Sequence, residues 1–188
     1  MRSASGTLTK NEPMMSLDPP SFETDGTPQD WQAQLVAIYI SPGHDYWGKH
    51  GEGRLQNGIL SPDQVECVAG KGLCGDRYFD HRPDYKGQVT FFSAEVVDEV
   101  REHFKLARLP ASVFRRNLIV RGVDLGKWLG KRFRFQGIEF EGGQECRPCH
   151  WMDRVIAPGG EQFLKAKFRG GLRAKILTSG MLRTDPHH

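Results

Sequence analysis

One heptapeptide in the second half of the chain contains the residue types that thiol chemistry needs. It reads Glu145-Cys-Arg-Pro-Cys-His-Trp151 and holds two of the four cysteines. A thiol serves as a nucleophile, a sulfur carrier or a soft-metal ligand, and Arg147 and His150 place cationic or proton-accepting groups beside Cys149. Pro148 fixes its own φ and biases the residue before it toward extended geometry. The sequence therefore predicts a shaped turn that presents Cys149 as the reactive thiol, with His150 as its neighbouring acid or base.

The other cysteines leave two further interpretations of this turn open. Cys-x2-Cys is half of a common zinc site, but Cys67 and Cys74 are separated by six residues and do not supply the usual second half. Nothing in the sequence marks secretion, so we expect reduced thiols rather than stable disulfides. Structural roles are favoured for Cys67 and Cys74. Cys146 could still resolve a persulfide on Cys149 by forming a disulfide with it.

A glycine-rich segment supplies a candidate anion-binding loop. Residues 70–77 contain three glycines within six positions, which permit positive φ and a close approach of the backbone to a ligand. The segment ends in Asp76 and Arg77. We expect the carboxylate to order the loop, and the guanidinium can form a forked contact with a phosphate.

Two more arginines stand near predicted strands. Arg116 precedes Asn117 at the start of one strand, and Arg173 begins another. Arg77, Arg116 and Arg173 come from three different segments, and Asn117 is an additional hydrogen-bond donor. The alternative for each arginine is a surface ion pair, which contributes little to stability.

A polar loop at residues 43–62 is a weaker candidate site. Two histidines and two carboxylates in one loop could bind a metal, but a surface loop whose aromatic residues lie over a pocket is the favoured interpretation. The residues concerned are His44, Asp45, Tyr46, Trp47, His50 and Glu52.

Composition places limits on the class of protein. The chain has 188 residues, 38% hydrophobic and 26% charged, with a net charge of +3. This composition is ordinary for a globular domain. The net charge is too weakly positive to indicate nucleic-acid binding, and the sequence has no apolar run of membrane-spanning length. Residues 1–32 are rich in Ser, Thr, Pro and Asp and predict a disordered tail, whereas residues 33–188 predict one domain. With no signal-peptide pattern, we expect a cytoplasmic protein.

The predicted elements define a fold class. Apolar or alternating runs predict strands, a Ser93 N-cap followed by apolar residues at helical spacing predicts a helix, and residues 151–168 predict helix interrupted at 158–160. Six to seven strands in hairpins with two or three short helices indicate a mainly β protein, a twisted antiparallel β-barrel capped by helical segments. The predicted strands are 35–40, 64–69, 88–92, 114–122, 132–137, 138–141 and 173–178.

With these motifs in place, the chain resembles the MOSC family, whose domains are related to the C-terminal domain of molybdenum-cofactor sulfurases. Four motifs occur in the family's order across residues 35–183. They are Gly72-Leu-Cys-Gly-Asp-Arg77, Arg116-Asn-Leu-Ile-Val-Arg-Gly-Val-Asp-Leu125 with Gly130, Glu145-Cys-Arg-Pro-Cys149, and Gly171-Leu-Arg-Ala174.

The resemblance implies a β-barrel whose opening binds a pterin-type molybdenum cofactor or a related anionic ligand, with Cys149 as molybdenum ligand or sulfur carrier. Such a cofactor carries a phosphate, on which Arg77, Arg116 and Arg173 could converge, with Asn117 as a further donor. Members include cofactor sulfurases, reductases of N-hydroxylated compounds and small stand-alone bacterial domains, and this chain has the size of the last group. It lacks the pyridoxal-phosphate desulfurase domain of the full sulfurases, so pyridoxal phosphate is not expected here. A sulfur carrier would need a cysteine desulfurase as partner. A reductase would need a separate electron donor and a small-molecule substrate, because no flavin or iron–sulfur motif is visible.

One segment departs from the family pattern. Several stand-alone relatives carry His-Gly-Gly just before the strand that begins at Gln88, whereas this chain reads Tyr85-Lys-Gly87. His150 or His81 could replace that histidine. Three functions stay open: a molybdenum-dependent reductase of N-hydroxylated or N-oxide compounds, a sulfur carrier holding a persulfide on Cys149, and a non-enzymatic module that binds a pterin or a similar anion.

Overall fold

The structure is a computed structural model that describes residues 29–45 and 55–185. Within these ranges the chain forms ten strands, three short α-helices and two 3-10 helices. The strands are β1 (Gln29–Asp30), β2 (Gln34–Ile38), β3 (Gln64–Val68), β4 (Gly72–Leu73), β5 (Val89–Ser93), β6 (Leu118–Arg121), β7 (Arg132–Phe135), β8 (Ile138–Glu145), β9 (Leu172–Ile176) and β10 (Gly180–Arg183). The helices are α1 (Ala94–His103), α2 (Trp151–Val155) and α3 (Gly160–Lys165), and 3-10 helices lie at Ala111–Phe114 and Leu125–Trp128.

Seven strands form one strongly curled half-barrel sheet in the order β1-β7-β8-β9-β5-β6-β2. A smaller sheet has the order β10-β3-β4. The predicted fold class, mainly β with short helices in a MOSC-like barrel, is confirmed. Two strand pairs, β5–β6 and β1–β7, are parallel rather than antiparallel. Parallel neighbours cannot be joined by a tight hairpin, and α1 lies in the long connection from β5 to β6.

The hairpin predicted from the alternation in residues 132–141 is confirmed. β7 pairs antiparallel with β8, and Phe133 lies opposite Phe140. Gln136 and Gly137 have positive φ values of 48° and 77°. Two successive residues with positive φ form a type I′ turn, whose twist matches that of the two flanking strands.

The core of the half-barrel is largely aromatic. Phe91 of β5 contacts the Trp128, Phe133 and Phe140 rings edge-on, at centroid distances of 5.3 to 5.6 Å. Trp128 stacks on Phe133 at 4.1 Å. The next residue, Phe92, packs in a second cluster with Phe114 outside the sheet. Successive side chains of a strand point to opposite faces, so β5 is apolar throughout because both of its faces are buried.

The helix α1 begins where the sequence predicts. The Ser93 hydroxyl accepts a hydrogen bond from the Val96 amide at 3.2 Å, as an N-cap does. Val96, Val97 and Val100 are buried against the outer face of the sheet. The cap and the apolar stripe thus fix the helix that covers this face.

The last strand, β10, is not among the strands that the sequence predicts. It pairs with β3 and leads to a segment that covers the free edge of β2. The Asp185 amide donates to the Leu35 carbonyl at 2.9 Å, and the Leu35 amide donates to the Asp185 carboxylate at 2.5 Å. A side chain and a backbone amide thereby satisfy strand groups that a neighbouring strand would otherwise satisfy.

The N-terminal end of the described region joins the sheet. β1 lies within the segment predicted as tail, and the Trp31 amide donates to the Arg134 carbonyl at 3.1 Å. The Trp31 ring contacts Trp128 at 5.8 Å. The rest of the predicted tail, residues 1–28, lies outside the described residues. Among the helices of the described ranges, none is both long and apolar enough to cross a membrane.

Candidate functional site

The predicted site residues Asp76 and Asn117 contact each other at the centre of a buried hydrogen-bond network. The Asp76 carboxylate accepts from the Ser41 amide at 3.1 Å, from the Tyr78 amide at 3.0 Å and from the Asn117 side chain at 3.2 Å. Three donors from three segments hold one carboxylate. Asp76 therefore fixes the end of the glycine-rich segment relative to β2 and β6.

The Asn117 side chain is saturated by protein partners. Its side-chain NH2 group donates to the Tyr39 carbonyl and to the Asp76 carboxylate. Its side-chain oxygen accepts from the backbone amide and the hydroxyl of Thr90. An amide group has two hydrogens to donate, and both are used here. Its geometry therefore suits the positioning of Asp76 better than the predicted direct contact with a ligand.

Arg77 is held by its backbone and mostly buried. Its amide donates to the Ser41 carbonyl at 2.8 Å, and its guanidinium lies 3.7 Å from the Asp76 carboxylate and over the Tyr78 ring at 4.7 Å. Its Nε atom is buried and has no hydrogen-bond acceptor among the described residues. A buried guanidinium N–H without an acceptor is a ready donor for an anion.

Arg115 joins this group, although sequence reasoning did not single it out. Its backbone is left-handed, with φ of 54°, which turns the chain immediately before β6. Its guanidinium donates to the Ser41 hydroxyl and the Gly43 carbonyl and lies 3.5 Å from the buried Asp45 carboxylate. The run of two arginines before Asn117 was the sequence signal. The structure shows that both arginines line the same cavity.

The site residues Arg77, Arg116 and Asn117 line one small cavity. Arg77 comes from the glycine-rich segment, whereas the other two immediately precede β6. Arg115 lines the same cavity, so three arginines contribute to its lining. The remaining lining residues are Tyr39, Ile40, Ser41 and Ile59.

The cysteine turn is joined to this cavity through Gly170. The Arg116 Nε donates to the Gly170 carbonyl at 3.0 Å, and the Gly170 amide donates to the Glu145 carboxylate at 3.1 Å. The Cys146 amide donates to the Gly171 carbonyl at 2.7 Å. Three motifs that lie far apart in the sequence thus meet at one glycine pair.

The two cysteines of the turn have different environments. Cys146 is 2% exposed, whereas Cys149 is the one exposed cysteine of the four, all of which the structure describes. His150 is half-buried and immediately precedes α2, in a helical conformation. No group of three or more His, Cys, Asp or Glu side chains within the described ranges could hold a metal ion. Cys149 thus lies where a ligand or partner can reach it.

A group of aromatic rings, which we call the ring cluster, lies beside Arg77. It consists of His44, Tyr78, His81 and Tyr85. Tyr78 stacks on Tyr85 at 5.4 Å, and the His81 ring contacts both tyrosines edge-on, at 5.5 and 5.1 Å. His44 meets the edge of Tyr78 at 5.5 Å. His81 is therefore next to the segment that departs from the family pattern.

His44, near the arginines, and Cys67, in β3, both have pKa values displaced from the ordinary values of their side chains. Burial lowers the pKa of His44, and the positive charges of Arg77 and Arg115 lower it further. Burial raises the pKa of Cys67 to about 12, which keeps that thiol protonated and fits its predicted structural role. The second histidine of the predicted loop, His50, lies outside the described residues with Tyr46, Trp47 and Glu52.

Arg173 occupies β9 and does not line the cavity. It lies opposite Thr90 of β5 and Gln144 of β8 in the sheet. Its charge acts on Tyr85, as does that of Arg77.

Together, the fold and site define a class: a small curled β domain with an arginine-lined cavity joined to a turn that exposes one cysteine. A family model described as MOSC domain matches residues 70–186. This is more than half of the chain and includes all four motifs. The chain therefore belongs to the MOSC domain family. A comparison with curated proteins gave no match.

Solved structures show the same fold. The YuaD protein from Bacillus subtilis superposes with a TM-score of 0.59 at 18% identity, covering 81% of this chain and 91% of that chain. YiiM from Escherichia coli gives 0.57 at 18% identity, covering 82% and 67%. YiiM from Geobacillus stearothermophilus gives 0.56 at 17% identity, covering 81% and 71%.

Proposed function

We propose that this protein binds a pterin-type molybdenum cofactor and reduces N-hydroxylated or N-oxide compounds, with Cys149 as the molybdenum ligand. The observation that carries the proposal is the cavity lined by Arg77, Arg115 and Arg116, which is joined through Gly170 to the turn that exposes Cys149. Membership of the MOSC family supports the choice of cofactor.

The cavity matches the phosphate of such a cofactor in charge and in donor type. Its volume of about 10 Å³ has room for about one water molecule, so the arginine side chains would have to move apart to admit the phosphate. Three arginines line the cavity, and two buried carboxylates, Asp45 and Asp76, lie close to them. The net charge of these five side chains is therefore +1. The Nε of Arg77, which has no acceptor in the described part of the chain, supplies a donor for such a group. Guanidinium groups bind phosphate oxygens in a forked geometry, so arginine suits this cavity better than lysine.

Each residue then has a defined task. Arg77 and Arg116 would hold the phosphate, while Asp76 and Asn117 fix their positions. The thiolate of Cys149 is a soft donor suited to molybdenum. The bound metal centre would supply the two-electron chemistry, and a separate protein would deliver the electrons. His150, next to the thiol, is the candidate to exchange protons with the substrate.

The test is metal content, measured on protein made in a host that synthesises the cofactor. We expect molybdenum to copurify with the wild type and to be lost from Cys149→Ser. Cys67→Ser is the matched control and should keep its molybdenum, since Cys67 is buried in β3. A Cys149→Ser protein with full molybdenum content would show that Cys149 is not the ligand.

The exposure of Cys149 favours one alternative function, that of a sulfur carrier. In this reaction the Cys149 thiolate attacks the outer sulfur of a cysteine desulfurase persulfide. A new S–S bond forms on Cys149, the S–S bond of the donor breaks, and the donor leaves as a thiolate. Incubation with an active desulfurase and cysteine should add one sulfur to the Cys149 peptide, as seen by mass spectrometry. No adduct on that peptide would exclude this function.

A further inference from the structure

Two backbone carbonyl groups hold the guanidinium of Arg116 in place. Its Nε donates to the Gly170 carbonyl at 3.0 Å, and its Nη1 donates to the Phe114 carbonyl, also at 3.0 Å. A guanidinium has five N–H donors, so these two bonds use two of them. The other three have no acceptor within the described ranges. Arg116 is thus fixed by the backbone and keeps donors for a ligand of the cavity that it lines.

Arg116 also differs in charge environment from the other two arginines of the cavity. Arg77 lies 3.7 Å from the Asp76 carboxylate. Arg115 lies 3.5 Å from the Asp45 carboxylate. Arg116 forms no ion pair with any carboxylate that the structure describes. Its charge is therefore the one that these local ion pairs leave uncompensated, and it accounts for the net charge of +1 at the cavity.

The carbonyl that accepts from the Arg116 Nε is fixed in turn by Glu145. The Glu145 carboxylate accepts a hydrogen bond from the Gly170 amide at 3.1 Å. A Cβ atom on Gly170 would lie 1.9 Å from the Cys146 carbonyl oxygen, so the Gly170 backbone is packed directly against the cysteine turn. Glu145 itself ends β8, where it lies opposite Leu172 of β9. The carboxylate is therefore carried by the sheet.

The backbone that leads to Gly170 is strained. Lys167 and Phe168 both have φ of 55°, a left-handed conformation that is uncommon for residues other than glycine. Such strain persists only where the surrounding contacts over-determine the backbone. The hydrogen bonds that join Gly170 to Glu145 and to Arg116 supply contacts of this kind. The position of Gly170 thus depends on its partners and not on local preference alone.

We propose that Glu145 is a positioning residue for the anionic ligand of the arginine cavity. By accepting from the Gly170 amide it fixes the Gly170 carbonyl, and that carbonyl sets the orientation of the Arg116 guanidinium. This inference rests on the proposed function, since Arg116 is one of the residues assigned to the phosphate. It gives the cysteine turn two tasks: its first residue orients Arg116, and its other end presents Cys149.

The first test measures the affinity for inorganic phosphate by calorimetric titration of the full chain at neutral pH. Glu145→Ala removes the acceptor of the Gly170 amide and should weaken binding about fivefold, the effect of one hydrogen bond. Glu145→Gln keeps a side-chain oxygen that can accept from this amide, so its affinity should stay within about twofold of wild type. Glu141→Ala is the matched control. It removes the same residue type from the same strand, where Glu141 pairs with Arg132 at 3.9 Å on the surface, and should also stay within about twofold.

A double-mutant cycle separates positioning from a general structural effect. Arg116→Lys keeps the positive charge but has no Nε–H to donate to Gly170. In this background Glu145→Ala should change the phosphate affinity by less than about twofold, because Glu145 acts on the ligand only through Arg116. Glu145→Asp keeps the charge and withdraws the carboxylate by one methylene group. It should show the same loss and the same dependence on Arg116, and it serves as the test variant if Glu145→Ala does not fold.

The outcomes separate this inference from the proposed function. If the wild type binds phosphate and both Glu145→Ala and Glu145→Asp bind it equally well, the role of Glu145 is wrong and the arginine cavity stands. An equal loss in Glu145→Gln and Glu145→Ala would overturn the role of the carboxylate as acceptor. The same loss in the wild-type and Arg116→Lys backgrounds would overturn the link through Arg116. Failure of the wild type to bind phosphate would overturn the anion cavity itself, and this inference with it.

Discussion

Gly170 is where the cysteine turn meets the arginine cavity, and Gly170→Ala tests that junction most directly. A Cβ atom at Gly170 would lie 1.9 Å from the Cys146 carbonyl oxygen and 3.2 Å from a Glu145 carboxylate oxygen. Real Cβ atoms essentially never approach another heavy atom closer than 3.0 Å, so the oxygen must move by at least the difference, 1.1 Å. One added methyl group therefore forces the two segments apart.

The free-energy cost follows from the contacts that this movement breaks. Insertion of a methyl group into a packed site costs about 1–3 kcal/mol. The hydrogen bonds from Cys146 to Gly171 and from Gly170 to Glu145 both cross the junction, and each contributes about 1 kcal/mol. Gly170→Ala should therefore lower the free energy of unfolding by roughly 2–4 kcal/mol.

Chemical denaturation measures this loss, and Gly58→Ala provides the matched control. A Cβ atom on Gly58 would meet nothing within 4 Å, so its free energy of unfolding should change by no more than about 0.5 kcal/mol. The Arg116 side chain donates to the Gly170 carbonyl, so Gly170→Ala should also weaken phosphate binding.

Two results would refute this reasoning. One is a Gly170→Ala protein with the stability and phosphate affinity of the wild type. The other is an equal loss of stability in Gly58→Ala, which would mean that glycine-to-alanine changes act here through the backbone in general and not through the contact with Cys146.

Three further predictions concern the network, the pH dependence and the core. Asn117→Ala removes four side-chain hydrogen bonds and should lower the free energy of unfolding by about 2–4 kcal/mol in urea denaturation; a loss below about 0.5 kcal/mol would contradict its positioning role. The folded-state pKa of His44 lies below its ordinary value of 6.5, so the unfolded chain takes up the proton first. Stability should fall as the pH drops below about 6.5, and His44→Gln should flatten that part of the pH profile; an unchanged profile would refute this. Phe91→Ala should cost about 3–5 kcal/mol in the same assay, whereas Leu60→Ala, at a side chain 56% exposed, should cost less than about 0.5 kcal/mol.

The elements that sequence patterns predict well are those whose signals are local. The type I′ hairpin of β7 and β8 follows from alternation and a glycine, and α1 follows from Ser93 and an apolar stripe. β10 and the two-residue strand β4 carry no comparable local signal. They form because other strands present edges to them. Their existence therefore depends on long-range pairing that no short window of sequence contains.

The site shows the same division between local signal and long-range contact. The sequence motifs indicated Arg77, Arg116 and Cys149 as site residues, because each lies in a motif that resembles the MOSC family. They did not show that the Asn117 side chain is fully used inside the protein. They also did not single out Arg115, which has a left-handed backbone before β6 and lines the cavity.

The sequence by itself determined the family and the fold class and indicated Cys149 as the candidate thiol, because each depends on residue types and short spacings that can be recognised without coordinates. Only the tertiary structure decided which side chains share a cavity and which polar groups are already satisfied. Those properties depend on distances between segments such as Arg116 and Gly170, which are 54 residues apart in the chain and 3.0 Å apart at their contact. The arrangement of the site is thus a consequence of folding, whereas the residue types that its proposed chemistry needs are visible in the sequence.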